Sequence, residues 1–204
     1  MSETPKERLV GALVAHLEHH GLADTSLRAM ATAVGSSHRM LLYHFGSREG
    51  LLVEVSRAVE RRQREGFEAM LADASMTPRQ VMWAMYAQVA DPALHPAERL
   101  FFELYVRALL DPGASTFLPE VVEAWLPPLT RLFTRLGLDD DAARVEARLS
   151  LATSRGMLLD LLATADRAAV DEAMAHYMRR FDGCSPNPPR QFGVAASCRR
   201  APPT

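Results

Sequence analysis

TSLRAMATAVGSSHRMLLYHFGSREGLL, residues 25–52, carries two short helical patterns joined by a tight turn, and its reading decides the fold. The first pattern runs from about Leu27 to Val34 and the second from about His38 to Phe45. Ala31 sits where a bulky side chain would keep a second helix from crossing closely, and Gly35 lies where the chain must reverse. Leu41, further along, is placed to pack back on Leu27 and Met30. A small residue, a glycine and an apolar residue at this spacing meet the steric requirement of a helix-turn-helix.

On the second helix, Leu41 and Phe45 are one turn apart and point inward, which leaves Arg39, Met40 and Tyr43 on the opposite face. An outward face of that kind can enter a major groove. Arginine there pairs bidentately with guanine, and Tyr43, His38 and His44 are candidates for phosphate or base edges. Thr25 and Ser26 open one helix and Ser47 with Arg48 another, and Ser37 joins them as a candidate DNA-binding residue. Exposed N–H groups and a cation therefore flank the reading helix, as phosphate contacts require. Arg28 adds a further cation to this candidate DNA-binding set. Residues 25–64 carry a net charge of +4, whereas residues 66–182 carry −6. A polyanion is attracted to the first stretch and not to the second.

Helical periodicity continues on both sides, and no segment shows the sustained alternation of a strand, so the chain reads as all-α. A first helix is expected over Pro5–His20, and Ser47 caps a long fourth from Arg48 to about Ala74. Pro78 opens a fifth, and the sixth covers about Ala97–Leu110. The seventh is expected from about Leu118 to Leu136 with a kink at Pro127 and Pro128. The eighth starts in the acidic run at Asp139 and reaches about Thr164, and the ninth covers about Arg167–Phe181. Residues 183–204 hold five of the 13 prolines and almost no periodic apolar residues, so a disordered tail is expected there. The expected division is a helix-turn-helix DNA-binding domain over 1–47, a helical ligand-binding and dimerisation domain over 48–182, and the tail.

The 204 residues, 48% of them hydrophobic and with only two cysteines, exclude a collagen, a disulfide scaffold and a fully disordered chain. No apolar run reaches the roughly 18 residues of a membrane span, and the charged opening MSETPKERL does not read as a secretory signal. A cytoplasmic protein with Cys184 and Cys198 as free thiols is expected. His16, His19 and His20 have helical ligand spacing, but nothing completes a zinc set, and they read as surface and packing histidines. No nucleophile elbow or glycine-rich phosphate loop occurs, so neither an enzyme nor a cofactor is expected.

Residues 9–55 resemble the N-terminal domain of the TetR/AcrR transcriptional regulators. The family pattern I-A-x-x-A-G-V-S, then L-Y-x-H-F, then S-K-E-x-L, stands here as M-A-T-A-V-G-S-S, L-L-Y-H-F and S-R-E-G-L. Ala31, Gly35, Ser37, Leu41, His44, Phe45, Ser47, Glu49 and Leu51 match, with Arg48 in place of the usual lysine. Leu42 occupies the position of a phosphate-contacting tyrosine in the family. Either its neighbour Tyr43 takes over that contact or the contact is lost.

The resemblance implies a ligand cavity in the C-terminal part. Large aromatics crowd the fifth to seventh helices, and Trp83, Tyr86, Phe102, Tyr105, Phe117 and Trp125, with Glu103 and Arg107 as polar partners, are the expected lining. The eighth helix has Leu149, Ala152, Gly156, Leu159 and Ala163 in a seam of small and apolar residues that permits close approach, and the ninth adds Val170, Met174 and Tyr177. The family uses the corresponding helices as a four-helix dimer interface. The expected function is a homodimeric repressor released from a palindromic double-stranded DNA operator by a small apolar or aromatic effector. The contrary class is a helical adaptor that binds protein alone, which salt-dependent duplex binding would exclude.

Overall fold

The computed structural model describes residues 4–20, 26–110 and 117–182, the side chains of residues 17–20 excepted. Thr25, Cys184, Cys198 and the expected tail lie outside the described residues, as do the side chains of His19 and His20. Among the described residues there are ten α-helices and no strand. They are α1 (Pro5–His20), α2 (Leu27–Ala33), α3 (His38–Phe45), α4 (Arg48–Ala72), α5 (Pro78–Val89), α6 (His95–Leu110), α7 (Phe117–Glu123), α8 (Leu126–Arg135), α9 (Asp140–Thr164) and α10 (Arg167–Arg179). No described helix is long and apolar enough to cross a membrane.

The single kinked helix expected over residues 118–136 is two helices, α7 and α8. Pro127 and Pro128 lie in the first turn of α8, where a missing N–H costs nothing because no carbonyl precedes it in the helix. In the interior of one long helix the same two residues would remove two hydrogen bonds.

Two compact units form, and neither is a continuous piece of chain. The first holds residues up to Glu65 together with Asp91–Val121, and the second holds Gly66–Ala90 and the chain from Val122 onward. The packing boundary thus differs from the sequence division at residue 47, because α6 and α7 contribute apolar faces to the N-terminal core. Leu13 and Val14 of α1, Met30 of α2, Leu41 of α3, Leu51 and Val55 of α4, Leu100 and Phe101 of α6 and Phe117 of α7 share that core. Each such side chain contributes about 1.5–3 kcal/mol by leaving water.

Polar contacts in the first unit fix the helices around this core. The Gln63 amide on α4 donates to the Glu98 carboxylate on α6 at 2.6 Å, with both side chains buried. Lys6 on α1 pairs with Glu54 on α4 at 3.0 Å and lies over the Phe45 ring. Arg57 bridges Glu54 and Glu120, which ties α4 to α7.

In the second unit, Phe67, Val81, Met82, Trp125, Leu132, Phe133, Ala143, Ala147, Leu161, Val170, Met174 and Met178 form the core. The Tyr86 hydroxyl on α5 donates to Asp171 on α10 at 2.5 Å, and Arg167 binds both Asp171 and the Ala90 carbonyl. Burial first, and then this hydrogen bond, push the Tyr86 hydroxyl up to about 12. Tyr177 is also pushed up to about 12, again chiefly by burial.

Two outcomes follow from this packing. A Cβ at Gly50 would fall within contact distance of the Phe45 carbonyl oxygen, a backbone atom held by the end of α3. Gly50→Ala is therefore expected to destabilise the first unit by about 1–3 kcal/mol in denaturant unfolding, and an unchanged midpoint would show that the loop yields freely. Raised folded-state values for Tyr86 and Tyr177 mean that their stabilising effect is complete below pH 10 and lost as pH rises toward 12. In an absorbance titration these two tyrosines should ionise near pH 12, and Tyr86→Phe should halve that step. An undiminished step would show that Tyr86 does not contribute to it.

Candidate nucleic-acid interface

The turn between α2 and α3 is closed by backbone geometry that glycine alone adopts without strain. Gly35 has φ of 64°. The Ser36 N–H donates to the Ala31 carbonyl at 2.8 Å and the Gly35 N–H to Thr32 at 3.1 Å, the paired bonds of a Schellman ending. Ser26 then caps α2 by accepting from Ala29 N–H, and Ser37 caps α3 by accepting from Met40 N–H. Both hydroxyls therefore have helix-capping roles in addition to the phosphate role that the sequence suggests. Gly46, with φ of 73°, ends α3, and Ser47 accepts from Gly50 N–H at the start of α4.

Ala31, Leu27, Met30, Leu41 and Phe45 are buried together, which is the crossing that the spacing predicts. Outward from this core, α3 presents His38, Arg39, Met40, Leu42 and Tyr43, all exposed. Arg28, Ser37 and Arg48 are exposed as well. Among the described residues neither Arg28 nor Arg39 is held in an ion pair, so both guanidiniums are available. The positive excess of the segment is partly consumed elsewhere, since Arg57 is bound by Glu54 and Glu120.

His44 departs from its expected place. Its Nε2 is buried with no hydrogen-bond partner among the described residues, and its ring stands edge-on to Tyr43 and Phe45. One turn from the buried Leu41, it lies on the flank of the helix and turns this nitrogen toward protein instead of a groove. Leu42 is the residue that the sequence assigns no contact, and it is exposed beside Arg39 and Tyr43.

The expected ligand residues divide between the two units. Phe102, Tyr105 and Phe117 surround Phe101 in the first, with ring centroids 5.4, 5.6 and 5.9 Å away. Glu103 and Arg107 are on its surface, paired at 2.6 Å, and Arg107 also reaches Glu49. In the second unit Trp83 meets Tyr86 and Trp125 meets Phe67. Aromatic enrichment along α5 to α8 thus supplies two separate cores, which periodicity cannot distinguish from one lining. Among the described residues no group of three or more His, Cys, Asp or Glu is arranged to hold a metal.

The expected dimer residues also separate. On α9, Leu149, Ala152, Gly156, Leu159 and Ala163 are exposed, and nothing lies within 4 Å of a Cβ built at Gly156. Val145, 69% exposed, extends this stripe by a turn; its four-residue spacing from Leu149 was a usable signal in the sequence. On α10, by contrast, Val170, Met174 and Tyr177 are buried in the second unit's own core. They are corrected from interface to core, because the apolar stripe of α10 is covered by its own chain.

Residues 9–55 match the family model described as bacterial regulatory proteins, tetR family. The HTH-type transcriptional regulator BetI of Stenotrophomonas maltophilia is 29% identical over 80 residues, a stretch covering 39% of this chain and 41% of that protein. A transcriptional regulator from Rhodococcus sp. Rha1 shares the fold at a TM-score of 0.69 and 20% identity, over 91% of this chain and 100% of its own. BioQ, solved with its natural double-stranded DNA operator, shares it at a TM-score of 0.55 and 20% identity, over 86% and 98%. The TetR transcriptional regulator of Legionella pneumophila does so at 0.61 and 18% identity, over 87% and 96%. The tetR family signature is thus matched over the N-terminal residues 9–55, and the all-helical fold is shared along most of the chain with solved transcriptional regulators.

Proposed function

We propose that the protein is a cytoplasmic transcriptional regulator that binds a palindromic DNA operator as a homodimer, with α3 of each protomer in the major groove. The observation that carries this reading is the outer face of α3, where an unpaired Arg39 stands among exposed residues on a helix whose other face is locked in the core. Exposed Arg28 on α2 and Arg48 at the start of α4 supply sequence-independent attraction to phosphates. Two-fold symmetry sets the two reading helices about 34–36 Å apart, or a multiple of it.

The α9 stripe supports the dimer. Val145, Leu149, Ala152, Gly156, Leu159 and Ala163 recur at alternating intervals of four and three residues, the spacing of a helix–helix seam, and they face away from the chain's own core. Repression, relieved by a small apolar or aromatic effector, completes the proposal and rests on the family resemblance. An effector contacting the second unit would report through Trp83 or Trp125 fluorescence.

Selection of bound duplexes from a random pool tests the DNA half and yields the operator. Arg39→Ala is then expected to relax discrimination at one base pair per half-site, a loss of about 1–3 kcal/mol, while Arg48→Ala weakens all duplexes alike. Unchanged discrimination in the Arg39 variant would remove it as a reader.

Leu149→Glu and Gly156→Leu are each expected to dissociate the dimer at least tenfold more readily in sedimentation, since one buries a charge and the other fills a close contact. Operator affinity should fall in parallel. Intact dimers in both variants would move the interface away from α9.

A further inference from the structure

We infer that α3 reads thymine through its C5 methyl group, with Met40 and Tyr43 as the contacting residues on base pairs next to a guanine held by Arg39. The inference rests on the proposed DNA-binding function and specifies what the operator half-site contains. Its basis is the chemistry of one helix face. The sequence of α3 is HRMLLYHF, without Asn, Gln, Asp, Glu, Ser, Thr or Lys. The face therefore has no amide to pair with the N6/N7 edge of adenine and no carboxylate to accept from N4 of cytosine.

Next to the exposed His38 and Arg39, what it offers is mostly apolar surface. Met40 is 43% exposed and Tyr43 is 78% exposed, on a helix whose buried side is already filled by Leu41 and Phe45. Charged or polar residues ordinarily occupy the solvent face of a short surface helix. The thymine methyl is the apolar group that a base pair presents in the major groove. Tyr43 lies one turn from both Arg39 and Met40, so the three side chains form a single patch. A guanidinium centred on guanine thus brings the thioether and the phenol ring over neighbouring base edges. The unpaired Arg39 supplies the charge complementarity that selects DNA over another apolar partner, and Arg28 on α2 adds a second exposed, unpaired cation to the helix-turn-helix. Leu42, 38% exposed, lies beside the patch on the side away from Met40.

The experiment replaces each thymine of the selected operator, one at a time, by deoxyuridine, which removes the methyl and keeps every hydrogen-bonding group. Affinity of the full-length protein should fall about threefold to fivefold at each of two positions per half-site. In Met40→Ala the penalty at one of these positions should vanish while the other persists, and in Tyr43→Ala the reverse should hold. Tyr43→Phe, which keeps the ring, should retain the penalty. Circular dichroism melting of the variants confirms that the exposed substitutions leave the fold intact. A selected duplex that binds equally well with uridine at every position would overturn the methyl inference alone. A penalty unchanged in both alanine variants would overturn the assignment to Met40 and Tyr43. Failure to enrich any duplex would overturn the proposed function, and this inference with it.

Discussion

An eight-residue helix is not stable by itself in water, because nucleating a helix costs more than so few hydrogen bonds return. The whole of the candidate interface depends on how α3 escapes that limit. Leu41 and Phe45 anchor it in a core shared with α1, α2 and α4, and the Schellman closure at Gly35 sets its entry from α2. Ser37 and Gly46 complete the two ends. Inner residues thereby determine the orientation of the outer ones, and the outer face is left without structural duties. Its chemistry is free to be selected for recognition.

The support for that arrangement comes from further along the chain than a three-helix domain would suggest. Residues 91–121 return to the first unit, where Phe101 and Phe117 complete its core and Glu120 holds Arg57. The buried Gln63–Glu98 hydrogen bond fixes α4 against α6 with directional geometry that apolar contacts lack. Leaving either partner unpaired in that interior would cost about 1–3 kcal/mol, so the two helices are held in register. In the second unit a comparable role falls to Tyr86, Asp171 and Arg167, which join the end of α5 to the start of α10.

The helix α9 shows how one element serves two demands. Ala143, Ala147, Ser150, Leu158 and Leu161 are buried in the second unit, while Val145, Leu149 and Leu159 point away from it. Twenty-five residues with apolar groups on both sides exceed what one core needs. Small residues at Ala152, Gly156 and Ala163 between the exposed ones keep the outer stripe low, so another helix can approach closely.

Local spacing rules were enough to place α2, the turn and α3 from the sequence, because the constraints involved, a small residue at a crossing, a glycine at positive φ and a serine at each cap, act over a few residues. The outward position of Arg39, Met40 and Tyr43 followed from the same periodicity. Where the reading failed, the missing information was the identity of a distant neighbour. An apolar stripe states that a face will be covered and not by what: Val170, Met174 and Tyr177 of α10 are covered by their own chain, whereas the equally apolar stripe of α9 is not. The aromatics of α5 to α8 formed one crowd along the chain and two cores in space, since Phe117 packs with Phe101 and Trp125 with Phe67. Helical pattern is a property of adjacent turns and is legible in sequence, while the choice of packing partner is settled among segments tens of residues apart, where only the three-dimensional fold decides.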